Sequence, residues 1–219
     1  MLDELQKRFL EFFVREQLHK QFYFTGGTAL AEVYFHHRRS FDLDFFTSDH
    51  FDYEHLIALM ARFAREERLK EPQTERKYDR RLFFFTNGQT LKVEFVRFEH
   101  PQLDERRLWN AYGILVDSLN DMAANKTLAL LDRQEPKDVV DLYYLMTKGG
   151  VSQESLVILL KQKFGIDYKS FSLVGDLLSA SRGIGELTPL LTAPNKEEEI
   201  QQIQSFVRDL ADRVIPFPR

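Results

Sequence analysis

The chain has 219 residues, of which 43% are hydrophobic and 29% charged, and 30 Lys and Arg against 34 Asp and Glu give a net charge of −4. It contains no cysteine, which excludes disulfides, thiolate nucleophiles and cysteine-ligated metal sites and predicts a reducing, cytoplasmic location. The mildly acidic balance argues against a non-specific nucleic-acid coat. We expect no membrane association, because no apolar run approaches the ~18 residues of a membrane span and the first residues lack a signal-peptide core.

The N-terminal region predicts a helix, a strand and a second helix. Residues 2–20 place apolar side chains at helical spacing. Residues 22–24 are aromatic and predict a short strand that ends at Gly26-Gly27. Thr28 then begins an alanine- and leucine-rich helix that ends near residues 36–39.

The next region predicts the main part of a sheet. Residues 40–46 alternate polar and apolar side chains, which predicts a strand with one carboxylate face and one apolar face. Residues 52–69 predict a helix. Further strands are predicted at residues 82–85 and 91–96, with Asn87-Gly88 as a hairpin turn between them.

The second half predicts helices. Helix starts are expected at Ser118, Pro136, Ser152 and Asn195. Gly149-Gly150 ends the second of these helices. We therefore predict an α+β fold with a mixed sheet flanked by helices at residues 1–112, followed by a C-terminal helical bundle at residues 113–219 that packs over a cleft.

Three acidic residues on the predicted strands are candidates for a metal site. Asp42 and Asp44 lie at i and i+2, so their carboxylates project from the same strand face and repel each other. Mg²⁺ between them would offset the repulsion, because it prefers carboxylate oxygens and leaves positions for substrate phosphates. Glu94 adds a third carboxylate if its strand is a neighbour. The alternatives are a solvated face for the pair and, for Glu94, a cross-strand contact with a Lys or Arg.

The glycine turn and a basic cluster are candidates for phosphate contacts. Gly26-Gly27 at a helix N-terminus offers backbone N–H groups to a triphosphate, although a plain turn with positive φ would also favour glycine. Thr28 and Ser40 can contact phosphate or cap the helix and strand. The charged run before the hairpin is typical of a solvated helix face, but it contains a cluster that is the best candidate for a phosphate or RNA contact: Arg76, Lys77, Arg80 and Arg81.

The order of these motifs resembles the polymerase-β-like nucleotidyltransferase superfamily, whose signature is Gly-[Gly/Ser], a helix, Asp-x-[Asp/Glu] and a third acid on a later strand. The sequence Gly26-Gly27-Thr28-Ala29-Leu30, followed by His37-Arg38-Arg39-Ser40-Phe41-Asp42-Leu43-Asp44-Phe45-Phe46, is similar to the AbiEii/AbiGii branch, the toxins of bacterial type IV toxin–antitoxin systems. The helical half is similar as well, with Asp121, Lys126, Arg133 and Lys137-Asp138-Val139-Val140-Asp141-Leu142-Tyr143.

The resemblance implies transfer of a nucleoside monophosphate from an NTP to a hydroxyl acceptor in tRNA or a protein, with an antitoxin as a cognate partner. It implies that Asp42, Asp44 and Glu94 bind Mg²⁺ and that Glu94 acts as general base. It also implies a set of nucleotide-binding residues: Gly26, Gly27, Thr28, Ser40 and Lys126. The alternative for Lys126 is a snorkelling lysine that Asp138 and Asp141 orient by ion pairing.

Two other functions compete with this one. The first is a catalytically idle module that binds a nucleotide or a partner. The second is a nucleotidyltransferase for small molecules of the antibiotic type, which predicts an acidic cleft for a polycation, whereas an RNA acceptor predicts a basic one.

Overall fold

The computed structural model describes residues 2–87 and 89–214, which form two compact units. The sheet unit comprises the described residues of Met1–Tyr34, Ser40–His100 and Arg106–Asp117, and the helical unit comprises those of Phe35–Arg39, Pro101–Glu105 and Ser118–Arg219. Two short segments of the first half thus belong to the helical unit. The predicted domain boundary after residue 112 and the packing of the helices over a cleft stay predictions.

The sheet unit contains a seven-stranded sheet in the order β3-β4-β5-β2-β1-β7-β6. Its strands are β1 Tyr23–Thr25, β2 Asp42–Thr47, β3 Gln73–Lys77, β4 Arg80–Asn87, β5 Gln89–Arg97, β6 Arg107–Trp109 and β7 Ile114–Val116. The pairs β2–β5 and β1–β7 are parallel, and the other neighbours are antiparallel. The predicted mixed sheet is therefore confirmed.

The helices differ in how they are distributed. The sheet unit carries α1 Glu4–Arg15, α2 Gly26–Ala29 and α3 Tyr53–Glu66. The helical unit carries α4 Leu119–Arg133, α5 Pro136–Thr147, α6 Gln153–Phe164, α7 Ser170–Ser181 and α8 Lys196–Val214. The predicted α+β class with C-terminal helices is confirmed. Within the described ranges, no helix combines the length and the apolar character needed to cross a bilayer.

A phenylalanine core holds one face of the sheet. Leu43 and Phe45 of β2 are fully buried, while Asp42 and Asp44 lie on the other face because strand side chains alternate. The Phe45 ring stacks on Phe13 of α1 with ring centroids 4.1 Å apart. Burial of such apolar area contributes roughly 25 cal/mol per Å², so this face orients β2 and leaves its carboxylates on the opposite side.

Several helices and strands of the structure were not predicted from the sequence. The strands β3, β6 and β7 and the helix α7 were not predicted. Every residue of β3 is exposed, so no apolar alternation marks it, and β6 and β7 have three residues each. The helix predicted after the glycine turn begins at Gly26 and continues from Leu30 to Phe35 as a π-helix. Gly88, half of the predicted hairpin turn, lies outside the described residues.

Candidate active site

The parallel pairing of β2 with β5 brings the three predicted carboxylates together. Asp42 lies opposite Lys92, and Asp44 lies opposite Glu94. Neighbouring strands are about 4.8 Å apart and residues in register point to the same face. Asp42, Asp44 and Glu94 therefore share one face of the sheet, as their strand positions predicted.

A lysine that the sequence analysis did not single out lies among these carboxylates. Lys92 donates a hydrogen bond to Asp42 Oδ2 at 3.0 Å, and its Nζ lies 3.7 Å from Glu94 Oε2. Burial lowers the pKa of Lys92, but the attraction of Asp42, Asp44 and Glu94 outweighs it and raises the pKa. The signal in the sequence was its position two residues before Glu94, on the same strand face.

Glu94 is the least exposed of the three carboxylates. Only 6% of the residue is exposed, and its Oε1 atom is buried without a hydrogen-bond partner. Arg80 Nη1 lies 3.4 Å from that atom, which is an ion pair without hydrogen-bond geometry. Glu94 therefore has the cross-strand cationic neighbours that we considered as an alternative, and it keeps one unused acceptor.

Gly26 lies directly against Asp44. Its φ is +78°, and a Cβ atom at this position would lie 2.1 Å from Asp44 Oδ2. Since real Cβ atoms do not approach so closely, only glycine allows the Asp44 carboxylate to pack on the backbone at the start of α2. Glycine is therefore required at position 26 for two reasons, the positive φ of the backbone and the close approach of the Asp44 carboxylate.

The hydroxyls predicted for phosphate contacts have different surroundings. Thr28 is buried, and its hydroxyl donates to the main-chain carbonyl of Asp42, which ties the glycine turn to β2. Ser40 is half-buried, and its carbonyl accepts a hydrogen bond from Gln6 Nε2 at 3.1 Å. The roles of Thr28 and Ser40 in nucleotide binding stay predictions.

Two of the three carboxylates, those of Asp42 and Glu94, pair with a lysine. Within residues 2–87 and 89–214, no three Asp, Glu or His side chains are grouped so that they could hold a metal ion as they stand. The Lys92 ammonium lies beside both Asp42 and Glu94. The donor set itself consists of carboxylate oxygens, which are the ligands of hard divalent cations.

Lys126 lies in an ion-pair network of the helical unit. Its Nζ is 2.5 Å from Asp141 Oδ2 and 3.2 Å from Asp138 Oδ1, which are the ion pairs considered for it. Arg38 donates to both Asp141 oxygens at 2.7 and 2.8 Å. Burial raises the pKa of Asp141, but Arg38 and Lys126 outweigh it and hold the pKa well below its usual range. A nucleotide contact of Lys126 stays a prediction.

Asp121 belongs to a separate contact set in the helical unit. Lys163 Nζ lies 2.5 Å from Asp121 Oδ1, and both residues are buried. Asp121 also accepts hydrogen bonds from Ser118 Oγ at 2.6 Å and from the Leu103 amide at 3.0 Å. This carboxylate therefore joins α4, α6 and the segment Pro101–Glu105. Its distant partner Lys163 carried no signal in the sequence.

The fold, a mixed sheet followed by C-terminal helices, is similar to that of solved structures. A candidate nucleotidyltransferase of H. pylori is similar over 100% of both chains with a TM-score of 0.58. JHP933 of Helicobacter pylori is similar over 98% of this chain and 95% of that one, with a TM-score of 0.55. Both are 18% identical to this chain, so these likenesses support the fold alone.

Sequence comparison identifies the family. The profile of the family described as nucleotidyl transferase AbiEii toxin, type IV toxin–antitoxin system, matches residues 8–215, and the chain belongs to this family. It is also 31% identical over 170 residues to an uncharacterized protein of Aquifex aeolicus (strain VF5), covering 76% of this chain and 78% of that protein. The predicted family membership is confirmed.

Proposed function

We propose that the protein transfers a nucleoside monophosphate from an NTP to a hydroxyl acceptor of tRNA or a protein, in a reaction that requires Mg²⁺, and that it acts as a toxin with a cognate antitoxin. The observation that carries the proposal is the placement of Asp42, Asp44 and Glu94 in register on neighbouring parallel strands, beside the ammonium group of Lys92.

Three observations support a divalent cation at this site. Their donor atoms are carboxylate oxygens. Glu94 Oε1 accepts no hydrogen bond. The Lys92 ammonium lies beside Asp42 and Glu94 and offsets their negative charge, as a bound cation would. Lys92 has a flexible four-carbon stem and is 28% exposed, so its head group can leave for solvent when a metal binds. When bound, Mg²⁺ would neutralise phosphate charge and stabilise the attacking and leaving oxygens.

The chain's own residues would perform the remaining tasks. The backbone N–H groups at Gly26 and Gly27 would hold phosphates, with further contacts from Thr28 and Ser40. Glu94 would accept the proton of the acceptor hydroxyl. The acceptor oxygen then bonds to the α-phosphorus as the bond to the β,γ-portion breaks, which releases pyrophosphate.

Labelling with each of the four NTPs tests this proposal. Wild-type protein with Mg²⁺ and a cell lysate is expected to produce a labelled macromolecule, and its digestion by nuclease or protease identifies the acceptor. The double variant Asp42→Asn/Asp44→Asn is expected to lose activity by on the order of 10³-fold or more, because it removes the proposed metal ligands.

The matched control removes two acidic charges elsewhere. Glu197 and Asp209 are exposed on α8, so Glu197→Gln/Asp209→Asn is expected to label as the wild type does. Equal labelling by the Asp42/Asp44 variant would refute the proposal. One observation favours a competing function, the idle nucleotide-binding module: the Lys92 ammonium already pairs with Asp42 and Glu94. Calorimetry that shows binding of an NTP with Mg²⁺ but no product under any condition would support that function instead.

A further inference from the structure

The hairpin formed by β3 and β4 ends in a group of cations. In the antiparallel register Arg76 lies opposite Arg81, and Lys77 lies opposite Arg80. Like charges directly opposite each other destabilise a strand pair. The acidic residues nearby offset this only in part: Glu75 pairs with Lys77 at 3.1 Å, Glu94 pairs with Arg80 at 3.4 Å, and Asp79 lies in the turn.

Tyr78 occupies the turn between the two strands. It is 97% exposed and has a φ of +50°. Two-residue hairpin turns with positive φ favour Asn, Asp or Gly, and a large side chain in this region costs about 1–2 kcal/mol in backbone terms. Because this ring is almost fully exposed it buries little apolar area, and residues held in an unfavourable backbone region cluster at binding and active sites.

The four cations fall on different faces of the hairpin. The Arg81 guanidinium lies over the Tyr53 ring, 4.7 Å from its centroid, and burial followed by repulsion from Arg76 lowers its pKa. Side chains alternate along strands, so Arg80 lies on the opposite face, where it reaches Glu94. Its register partner Lys77 shares that face. Lys77 and Arg80 are therefore on the carboxylate side of the sheet.

The hairpin end is also close to the candidate active site. In the sheet order β4 is next to β5, which carries Glu94, and β5 is next to β2, which carries Asp42 and Asp44. Arg80 is in register with Val96 of β5, two residues beyond Glu94. The hairpin end therefore lies roughly 10 Å across the strands from β2 and at least about 7 Å along the strands from the carboxylates, a distance that a few nucleotides can span.

We propose that the end of the β3–β4 hairpin binds the single-stranded end of an RNA acceptor, with a base stacked on Tyr78 and phosphates paired with Lys77 and Arg80. An exposed aromatic ring between cations is the combination that binds unpaired nucleotides, because stacking holds bases and cations track the backbone. This inference rests on the proposed transfer reaction, and it names RNA, rather than a protein, as the acceptor in that reaction. The binding itself can be measured without any transfer.

Fluorescence anisotropy with a labelled single-stranded RNA of about eight nucleotides tests this surface. Tyr78→Ala is expected to weaken binding about 5- to 150-fold, the range for loss of one stacked base, while Tyr78→Phe keeps the ring and the affinity. The double variant Lys77→Ala/Arg80→Ala is expected to reduce the slope of log K against log salt by about 1.4. A duplex of the same sequence is expected to bind more weakly than the single strand.

The control removes two cations elsewhere in the sheet unit. Arg65 and Lys70 are exposed, and Arg65→Ala/Lys70→Ala is expected to leave the salt slope of the wild type. RNA affinity and salt slope that do not change in the Tyr78 and Lys77/Arg80 variants would overturn the proposal, even if the protein transfers nucleotides. Binding of no RNA at all, with label found on a protein acceptor, would also overturn it.

The same measurement on Asp42→Asn/Asp44→Asn separates this proposal from the proposed function. Tyr78-dependent RNA binding by that variant supports the hairpin surface whether or not the wild type has transferase activity. If this variant loses transfer activity, and if Tyr78→Ala does not change the RNA affinity, the proposed function is supported and the hairpin surface is refuted.

Discussion

The two units use similar ion pairs with opposite exposure. In the sheet unit the side chains of Asp42 and its partner Lys92 are 43% and 28% exposed. In the helical unit the side chain of Asp141 is fully buried and that of its partner Lys126 is 9% exposed. A cation that solvent reaches can be exchanged for another, whereas a buried one is held by the cost of leaving its partner unpaired in a low dielectric.

The number of partners differs as well. Asp141 contacts three groups that carry or share protons, at 2.5–2.8 Å: Lys126, Arg38 and His37. Glu94 keeps an unused buried acceptor. Asp42 is therefore suited to exchanging its cation for another ligand, whereas Asp141 is suited to stabilising α4 and α5.

The largest expected effect breaks the buried network. Asp141→Ala is expected to lower the free energy of unfolding by about 3–5 kcal/mol, because it leaves the buried Arg38 without its carboxylate and Lys126 with Asp138 alone. Asp42→Ala is the matched variant and is expected to change it by less than about 1 kcal/mol, since its pair is exposed. Urea unfolding measures both. Equal effects of the two substitutions would contradict the difference between the units.

The next effect concerns the close approach of Gly26 to Asp44. Gly26→Ala is expected to cost about 1–3 kcal/mol of unfolding free energy, because the φ is positive and the new Cβ would displace the carboxylate. Nucleotide transfer is expected to fall as well. Gly150 also has a positive φ but has open space around it, so Gly150→Ala should cost less. A larger loss at Gly150 would show that the contact with Asp44 has no effect.

The pH dependence of stability sharpens the comparison further. The pKa of Asp141 is depressed well below 3.8 in the folded state, so its contribution is complete above the unfolded pKa and is lost as pH falls through the folded one. We expect the wild type to lose stability from this group as pH falls below the unfolded-state pKa of about 3.9. Asp141→Asn should remove that part of the slope in urea unfolding series; an unchanged slope would argue against the ion pairs.

The smallest effect is expected at Lys92. Lys92→Met removes the cation that competes for Asp42 and Glu94, so the affinity for Mg²⁺, measured by calorimetry, should rise by about 5-fold while stability changes by less than about 1 kcal/mol. Lys126→Met is the matched variant, and it should destabilise the protein without tightening Mg²⁺ binding. Weaker Mg²⁺ binding by Lys92→Met would mean that Lys92 assists the site.

Much of the fold followed from local patterns. The alternation in β2 predicted which face carries Asp42 and Asp44, and the capping residues Ser118 and Ser152 predicted the starts of α4 and α6, since their side chains accept hydrogen bonds from the first turn. The edge strand β3 was not predicted, because an exposed strand held by backbone hydrogen bonds needs no apolar residues.

The order of motifs, the carboxylate face of β2 and the family were determined by the sequence alone, because each depends on residues that are close along the chain. The tertiary structure alone decided the partners. The register of β2 against β5 set Lys92 beside Asp42, and folding brought Arg38 to Asp141, 103 residues further along the chain. Periodicity tells which face a side chain occupies, but register and long-range packing decide which charge it meets, and that charge determines whether a carboxylate is open to a ligand or closed.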